Sequence, residues 1–249
     1  MKPTFTLHSP ETGTDYLLYV VAPDETLSPG PWPTMLFMDG DDQFAEGVAA
    51  YRHQRKTGKV PPLLLVGVGY GASYTRPGNR RGRDYTPTAH TDEPTSGGGN
   101  TFLDFMQATL WPELARRYPV HPDIRGIAGH SLGSLLVLYA LLREPPFFTH
   151  HLASAPSIWW DDRSILRLMR ERWEGGAPLR ARLYLCVGDD DTQSMTGDLT
   201  LVEQQLARHP FHGLRVISER FPDRDHYNVL RDAFQSGLAA LFDPSAASI

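Results

Sequence analysis

Between the apolar run Ile124-Arg125-Gly126-Ile127-Ala128 and the apolar stretch that begins at Leu135 stands Gly129-His130-Ser131-Leu132-Gly133. A buried strand must here turn at once into a helix, and the glycines relieve the crowding where the two nearly touch. Such a turn is sharp and strained, and it lifts the hydroxyl of its central serine clear of the sheet. In a chain of this length G-x-S-x-G arises by accident about one time in ten at ordinary glycine and serine usage. The apolar flanks and the partners downstream therefore carry the argument. In this setting the pentapeptide reads as a nucleophile elbow and predicts acyl transfer through Ser131.

The rest of the chain alternates in the same way. Residues 15–22 alternate like an outer antiparallel strand, while 34–38 and 63–68 are continuous apolar runs suited to buried strands. Further strands are expected at 124–128, 151–155, 182–187 and 214–219. Helical patterns fall between them at about 44–56, 101–118, 132–142, 162–173, 197–209 and 227–242. Strands alternating with helices imply an α/β fold, a doubly wound and mostly parallel sheet with helices on both faces. The 249 residues, 41% hydrophobic and 21% charged, fit one such domain spanning 1–249. Sites in sheets of this kind gather at the carboxyl ends of the strands.

A serine hydroxyl is a poor nucleophile until an imidazole takes its proton, and a carboxylate must hold that imidazole in the right tautomer. After the strand ending near Val187 comes Gly188-Asp189-Asp190-Asp191, and after the last strand comes Asp223-Arg224-Asp225-His226. His226 is the best-placed base of the ten histidines. Asp191 is the favoured acid and Asp190 the reserve. Asp225, as the neighbour of His226, is badly placed to approach its ring.

The remaining features narrow the class. A net charge of -5 gives no reason to expect nucleic acid or an anionic membrane as partner. The N-terminal residues lack an apolar signal-like region, and no run approaches the roughly 18 apolar residues of a membrane span, so a cytoplasmic location is expected. Cys186, the one cysteine, lies in an apolar run where a buried inert thiol is expected. Neither a metal site nor a cofactor is implied. The acidic run 39–42 lacks the further ligands of a calcium loop.

Taken together, the elbow, Ser154-Ala155-Pro156-Ser157-Ile158-Trp159-Trp160, Met38-Asp39-Gly40-Asp41-Asp42-Gln43-Phe44 and Arg83-Asp84-Tyr85-Thr86-Pro87 resemble the Putative esterase family of α/β-hydrolases. The resemblance spans about residues 34–242. The Pro-Ser-Ile-Trp-Trp element is similar to the enterochelin (siderophore) esterase branch. Membership would imply the α/β-hydrolase fold and an acid three residues after the glycine that ends its strand, which favours Asp191. It would also imply an oxyanion hole from the backbone N–H groups of Leu132 and Asp41. Ser134 stands where many relatives have glycine, outside the chemistry.

The irregular segment 69–100 leaves the carboxyl end of a central strand and is expected to border the site. Within it Arg76, Arg80, Arg81 and Arg83 form a basic cluster. The resemblance makes these arginines, Arg80, Arg81 and Arg83 foremost, candidates for an anionic or catecholate-bearing ester, the alternative being a solvated basic loop. Trp159 and Trp160 read as aromatic pocket walls or as packing at a strand end, with at least one expected to line the pocket. Between the strands at 151–155 and 182–187 there is room for one helix, hence no large lid. The expected activity is hydrolysis of a small-molecule ester, aromatic or siderophore-like. Acyl transfer to an alcohol, or a catalytically silent binding protein on the same fold, are the alternatives.

Overall fold

The central strands alternate their side chains between two apolar layers, as the period of two requires. In β3 (Trp32–Phe37) Met35 and Phe37 face one layer and Leu36 the other; in β7 (Ala181–Gly188) Tyr184 and Cys186 oppose Leu183, Leu185 and Val187. The computed structural model describes residues 1–243; the last six residues of the expected 1–249 unit lie outside the described residues. One eight-stranded sheet joins these strands to β1 (Phe5–Ser9), β2 (Thr14–Val21), β4 (Leu64–Gly69), β5 (Val120–His130), β6 (His150–Ser154) and β8 (Leu214–Phe221). Its order is β1-β2-β4-β3-β5-β6-β7-β8. β1, β2 and β4 pair antiparallel, and every pairing from β4 through β8 is parallel.

Helices α1 (Phe44–Lys56) and α8 (Leu230–Phe242) cover one face, where Phe37 meets Phe234 edge-on at 5.3 Å between ring centroids. The other face carries α3 (Gly99–Phe105), α4 (Trp111–Arg117), α5 (Leu132–Leu142), α6 (Trp160–Glu174) and α7 (Gln193–Arg208), with the short α2 (Arg81–Asp84) above them in the chain. The expected doubly wound architecture is present. Only α6 lies between β6 and β7, so no large lid is inserted there.

Three local differences have physical causes. β1 is an edge strand whose pairing with β2 leaves it half exposed, so no buried apolar run announces it. The helix expected at 101–118 is interrupted by a π-helical turn at Met106–Leu110, just before Pro112, which has no N–H to continue the ladder. The last helix begins at Leu230 rather than at residue 227. Asp225 and Asn228 hold the preceding turn: the Asp225 carboxylate accepts from the N–H of Tyr227 at 2.9 Å and of Asn228 at 2.8 Å, and Asn228 Oδ1 accepts from Asp225 N at 2.8 Å.

β3 is flanked by β4 on one side and β5 on the other. The chain reverses its direction of winding there, which opens a crevice outside the carboxyl ends of β3 and β5. The loop after β3 and the elbow after β5 face each other across it.

Candidate active site

Ser131 joins β5 to α5 at φ 59° and ψ -121°. A side chain there is strained, and the strain is held by neighbours rather than relieved. A Cβ on Gly129 would fall 2.4 Å from the carbonyl carbon of Gly133, so only glycine admits the turn. Ser131 N donates to Ser154 O at 3.0 Å, which ties the elbow to the end of β6. Ser134, fully buried, adds a clamp: its hydroxyl lies 2.6 Å from Gly129 O and 2.7 Å from Ser154 O. Sequence reasoning set Ser134 outside the chemistry; it does not touch the site, yet it fixes the turn that presents Ser131.

The predicted base and acid meet. His226 Nδ1 and Asp191 Oδ2 are 2.8 Å apart, with the Asp191 side chain 1% exposed and that of His226 23%. Their loops are stitched by Asp190 N, which donates to Arg224 O at 2.9 Å. Gly188 makes the stitch possible, because a Cβ there would sit 2.0 Å from that same carbonyl. The other Asp191 oxygen accepts from Thr192 N at 2.7 Å, where α7 starts. Asp189 and Asp190 are exposed. Of the three aspartates, Asp191 alone is brought to the imidazole.

On the facing loop, Asp39 takes a left-handed conformation at φ 52° and is buried. Arg81 grips its carboxylate with two hydrogen bonds, Nε to Oδ1 at 2.9 Å and Nη2 to Oδ2 at 3.0 Å. Burial raises the Asp39 carboxyl while the guanidinium lowers it. Asp39 N donates to the Tyr85 hydroxyl at 2.9 Å, Gly40 N to Val68 O at 2.8 Å, and the N–H groups of Asp42 and Gln43 to Asp39 O at 3.0 and 2.8 Å. Among the described residues, the Asp41 N–H alone in this turn has no acceptor. The Asp41 side chain braces the loop, accepting from Tyr19 Oη at 2.6 Å and Tyr70 N at 2.5 Å. Leu132 opens α5, whose first N–H groups have no intrahelical acceptor. The Asp41 N–H thus lies on the loop after β3 and the Leu132 N–H at the start of α5.

The residues expected to touch substrate divide. Arg81 is spent on Asp39 and stacks near Tyr74 and Tyr85, 5.1 and 5.6 Å from their ring centroids. Arg83 Nε pairs with buried Asp84 at 2.6 Å, and its Nη2 donates to Thr14 Oγ1 at 2.8 Å. Trp160 is buried and donates its indole N–H to Thr88 O at 3.1 Å. Arg80 and Arg76 are exposed, and Trp159 is 48% exposed. A polar cavity of 390 Å³ is lined by Tyr74, Arg80, Arg81, Arg83 and Glu93. The segment 69–100 reaches the loop after β3 through Arg81, which holds Asp39.

Two further residues reach the site that sequence reasoning did not assign. His130 is buried with its ring 4.6 Å from that of His226, and its Nδ1 lies 3.1 Å from Ser154 Oγ. Burial first, then the charge of a protonated His226, pushes its pKa down to about 3, so it is neutral at ordinary pH. Ser157 Oγ is 3.3 Å from Ser131 Oγ. Cys186 is buried and its thiol is pushed up to about 12 by desolvation, an inert packing residue as expected. Among the described residues no group of three or more His, Cys, Asp or Glu side chains is arranged to hold a metal ion.

A family model described as Putative esterase matches residues 9–214. The chain belongs to that family. Two curated proteins are similar to this chain. The ferri-bacillibactin esterase BesA of Bacillus subtilis is 32% identical over 166 residues, 61% of this chain and 57% of that protein. The siderophore triacetylfusarinine C esterase of Aspergillus fumigatus is 33% identical over 165 residues, covering 63% and 56%. The chain spans a little over half the length of these curated relatives. Among solved structures, the BES protein of Bacillus cereus superposes with a TM-score of 0.83 at 23% identity, covering 95% of this chain and 93% of that one. The siderophore hydrolase EstB of Aspergillus nidulans gives 0.81 at 22%, covering 96% and 94%. At these identities the likeness concerns the fold, which is that of the α/β-hydrolases. No described helix is long and apolar enough to cross a membrane.

Proposed function

We propose that this chain is a serine carboxylic-ester hydrolase working through an acyl-enzyme on Ser131. His226 is the general base, Asp191 orients it, and the N–H groups of Asp41 and Leu132 receive the oxyanion. The observation that carries this reading is the His226–Asp191 bond of 2.8 Å, with the His226 ring 4.6 Å from that of His130, the neighbour of Ser131 in its strained turn. An imidazole that donates from Nδ1 to a carboxylate has Nε2 free to accept a proton.

The steps follow from that tautomer. Ser131 Oγ attacks the ester carbon as its proton passes to His226 Nε2, and the carbonyl electron pair moves onto oxygen, facing the two backbone donors. Collapse breaks the bond to the alcohol, which leaves with the proton from His226. Water repeats the sequence on the acyl-enzyme and releases the acid. Asp191 stays ionised and stabilises the imidazolium formed in each half.

The substrate class we propose is a small siderophore-like ester bearing aryl or anionic groups. Its support is the substrates named for the curated relatives, together with exposed Arg80 and Trp159. Arg81, Arg83 and Trp160 are the walls behind that surface, since their polar groups are engaged within the protein. A fluorophosphonate probe tests the chemistry: Ser131 should be the residue labelled, and Ser131→Ala should lose about four or more orders of magnitude in turnover. Labelling elsewhere in an active preparation would overturn the reading.

A further inference from the structure

The hydroxyl of Ser157 has one described partner, and that partner is the nucleophile. Ser157 is 1% exposed, and its Oγ lies 3.3 Å from Ser131 Oγ. Its main chain is tied to the same turn: Ser157 N donates to Ser131 O at 3.2 Å, and Ser157 O accepts from Trp160 N at 3.2 Å. The chain reaches this position through Ala155, a non-glycine residue at φ 43° whose N–H is held by Cys186 O at 2.7 Å. Left-handed backbone at alanine is costly and persists where surrounding contacts enforce it. Here it turns the loop after β6 back toward the elbow.

We propose that Ser157 is a further catalytic residue, whose hydroxyl donates to Ser131 Oγ and stabilises the negative charge that gathers there. The inference rests on Ser131 being the nucleophile. A hydroxyl has one hydrogen to give. In the attacking geometry Ser131 commits its own to His226 Nε2, so the bond between the two serines must run from Ser157 to Ser131. That bond is between neutral groups at rest. As the proton leaves Ser131 ahead of full bonding to carbon, the acceptor gains alkoxide character and the bond from the buried Ser157 hydroxyl becomes charge-assisted. An interaction that strengthens toward the transition state raises turnover rather than affinity. The same donor serves the second half-reaction, when the bond between the acyl carbon and Ser131 Oγ breaks and that oxygen departs before recovering its proton from His226.

The test compares Ser157→Ala and Ser157→Thr with the wild type. Alanine keeps the backbone bonds and removes only the hydroxyl; threonine keeps the hydroxyl. The readouts are the second-order rate of fluorophosphonate labelling at Ser131, kcat and KM on p-nitrophenyl acetate, and the melting temperature. We expect Ser157→Ala to lower labelling and kcat together by about tenfold, about 1.4 kcal/mol, with KM and melting temperature little changed, and Ser157→Thr to recover most of the rate. Should Ala fail to fold, Ser157→Cys replaces it, with a weaker donor and an intermediate loss expected. Labelling of Ser131 within twofold of wild type in the Ala or Cys variant would overturn the proposal, as would equal losses in Ala and Thr. Failure to label Ser131 in the wild type would instead overturn the underlying reading.

Discussion

Asp191 and His226, 35 residues apart in the chain, are joined by a bond of 2.8 Å between Oδ2 and Nδ1. The carboxylate is buried while the imidazole edge is partly open, as the proposed roles of orienting acid and general base require. Asp191→Ala or Asp191→Asn should lower kcat about a thousandfold or more, because the imidazole loses its tautomer and its counter-charge. Asp189→Ala and Asp190→Ala should cost little, since both side chains are exposed. Steady-state kinetics on p-nitrophenyl acetate separates the three; a selective loss at Asp190 would move the role by one residue.

The Asp39–Arg81 pair is the second point of leverage. Arg81→Met leaves a buried carboxylate without its cation, a change that costs about 3 kcal/mol in comparable sites. Asp39→Asn keeps a side chain that tolerates the left-handed backbone, and the double variant should recover much of the loss. Urea denaturation of the four proteins as a cycle reads the coupling. Additive losses would show that the pair does not support the turn that carries the Asp41 N–H.

Acid should destabilise this fold through its buried histidines. Desolvation lowers His130 and His150 to about 3 and His151 to about 4, against about 6.5 for the unfolded chain. Between those values the unfolded chain binds protons that the folded chain refuses. Stability is therefore full above about pH 6.5 and is lost as pH falls toward the folded values, by about 1.4 kcal/mol per pH unit for each such group. Chemical denaturation at pH 7.5, 6 and 5 checks the sign. His130→Asn should flatten the dependence by one group's share; an unchanged slope would mean that His130 already binds a proton in the folded state.

The parts legible in the chain were those with local signatures. The strand–turn–helix around Ser131 is written in consecutive residues, and His226 follows from its place after the last strand. Asp191 could be favoured but not separated from Asp190 by pattern alone, because the choice depends on Asp190 N reaching Arg224 O across two loops. Ser157, Ser134 and His130 carry no periodic signal. Their placement comes from β6 lying beside β5, which brings Ser154 and Ser157 to the elbow. Arg81 is the instructive case. Its position in a basic cluster points to a ligand, yet its partner Asp39 lies 42 residues earlier in the chain, so the cluster is half structural.

Substrate preference should divide along the same line. Arg80 and Trp159 are exposed, whereas Arg81 and Arg83 spend their guanidinium hydrogen bonds on Asp39 and Asp84. A solvated arginine binding a substrate anion is worth about 1 kcal/mol, so Arg80→Gln should lower kcat/KM about fivefold for esters bearing a carboxylate or catecholate. Short neutral p-nitrophenyl esters should be unaffected by it. Trp159→Ala should penalise aryl-bearing esters of either charge, through lost stacking area. Arg81→Gln should instead lower activity on every ester alike, because it acts through the Asp39 turn and not through the ligand. Measuring kcat/KM for the neutral and anionic series across the three variants distinguishes these patterns. A uniform response to Arg80→Gln would remove that residue from the binding surface, and an anion-selective response to Arg81→Gln would restore Arg81 to it.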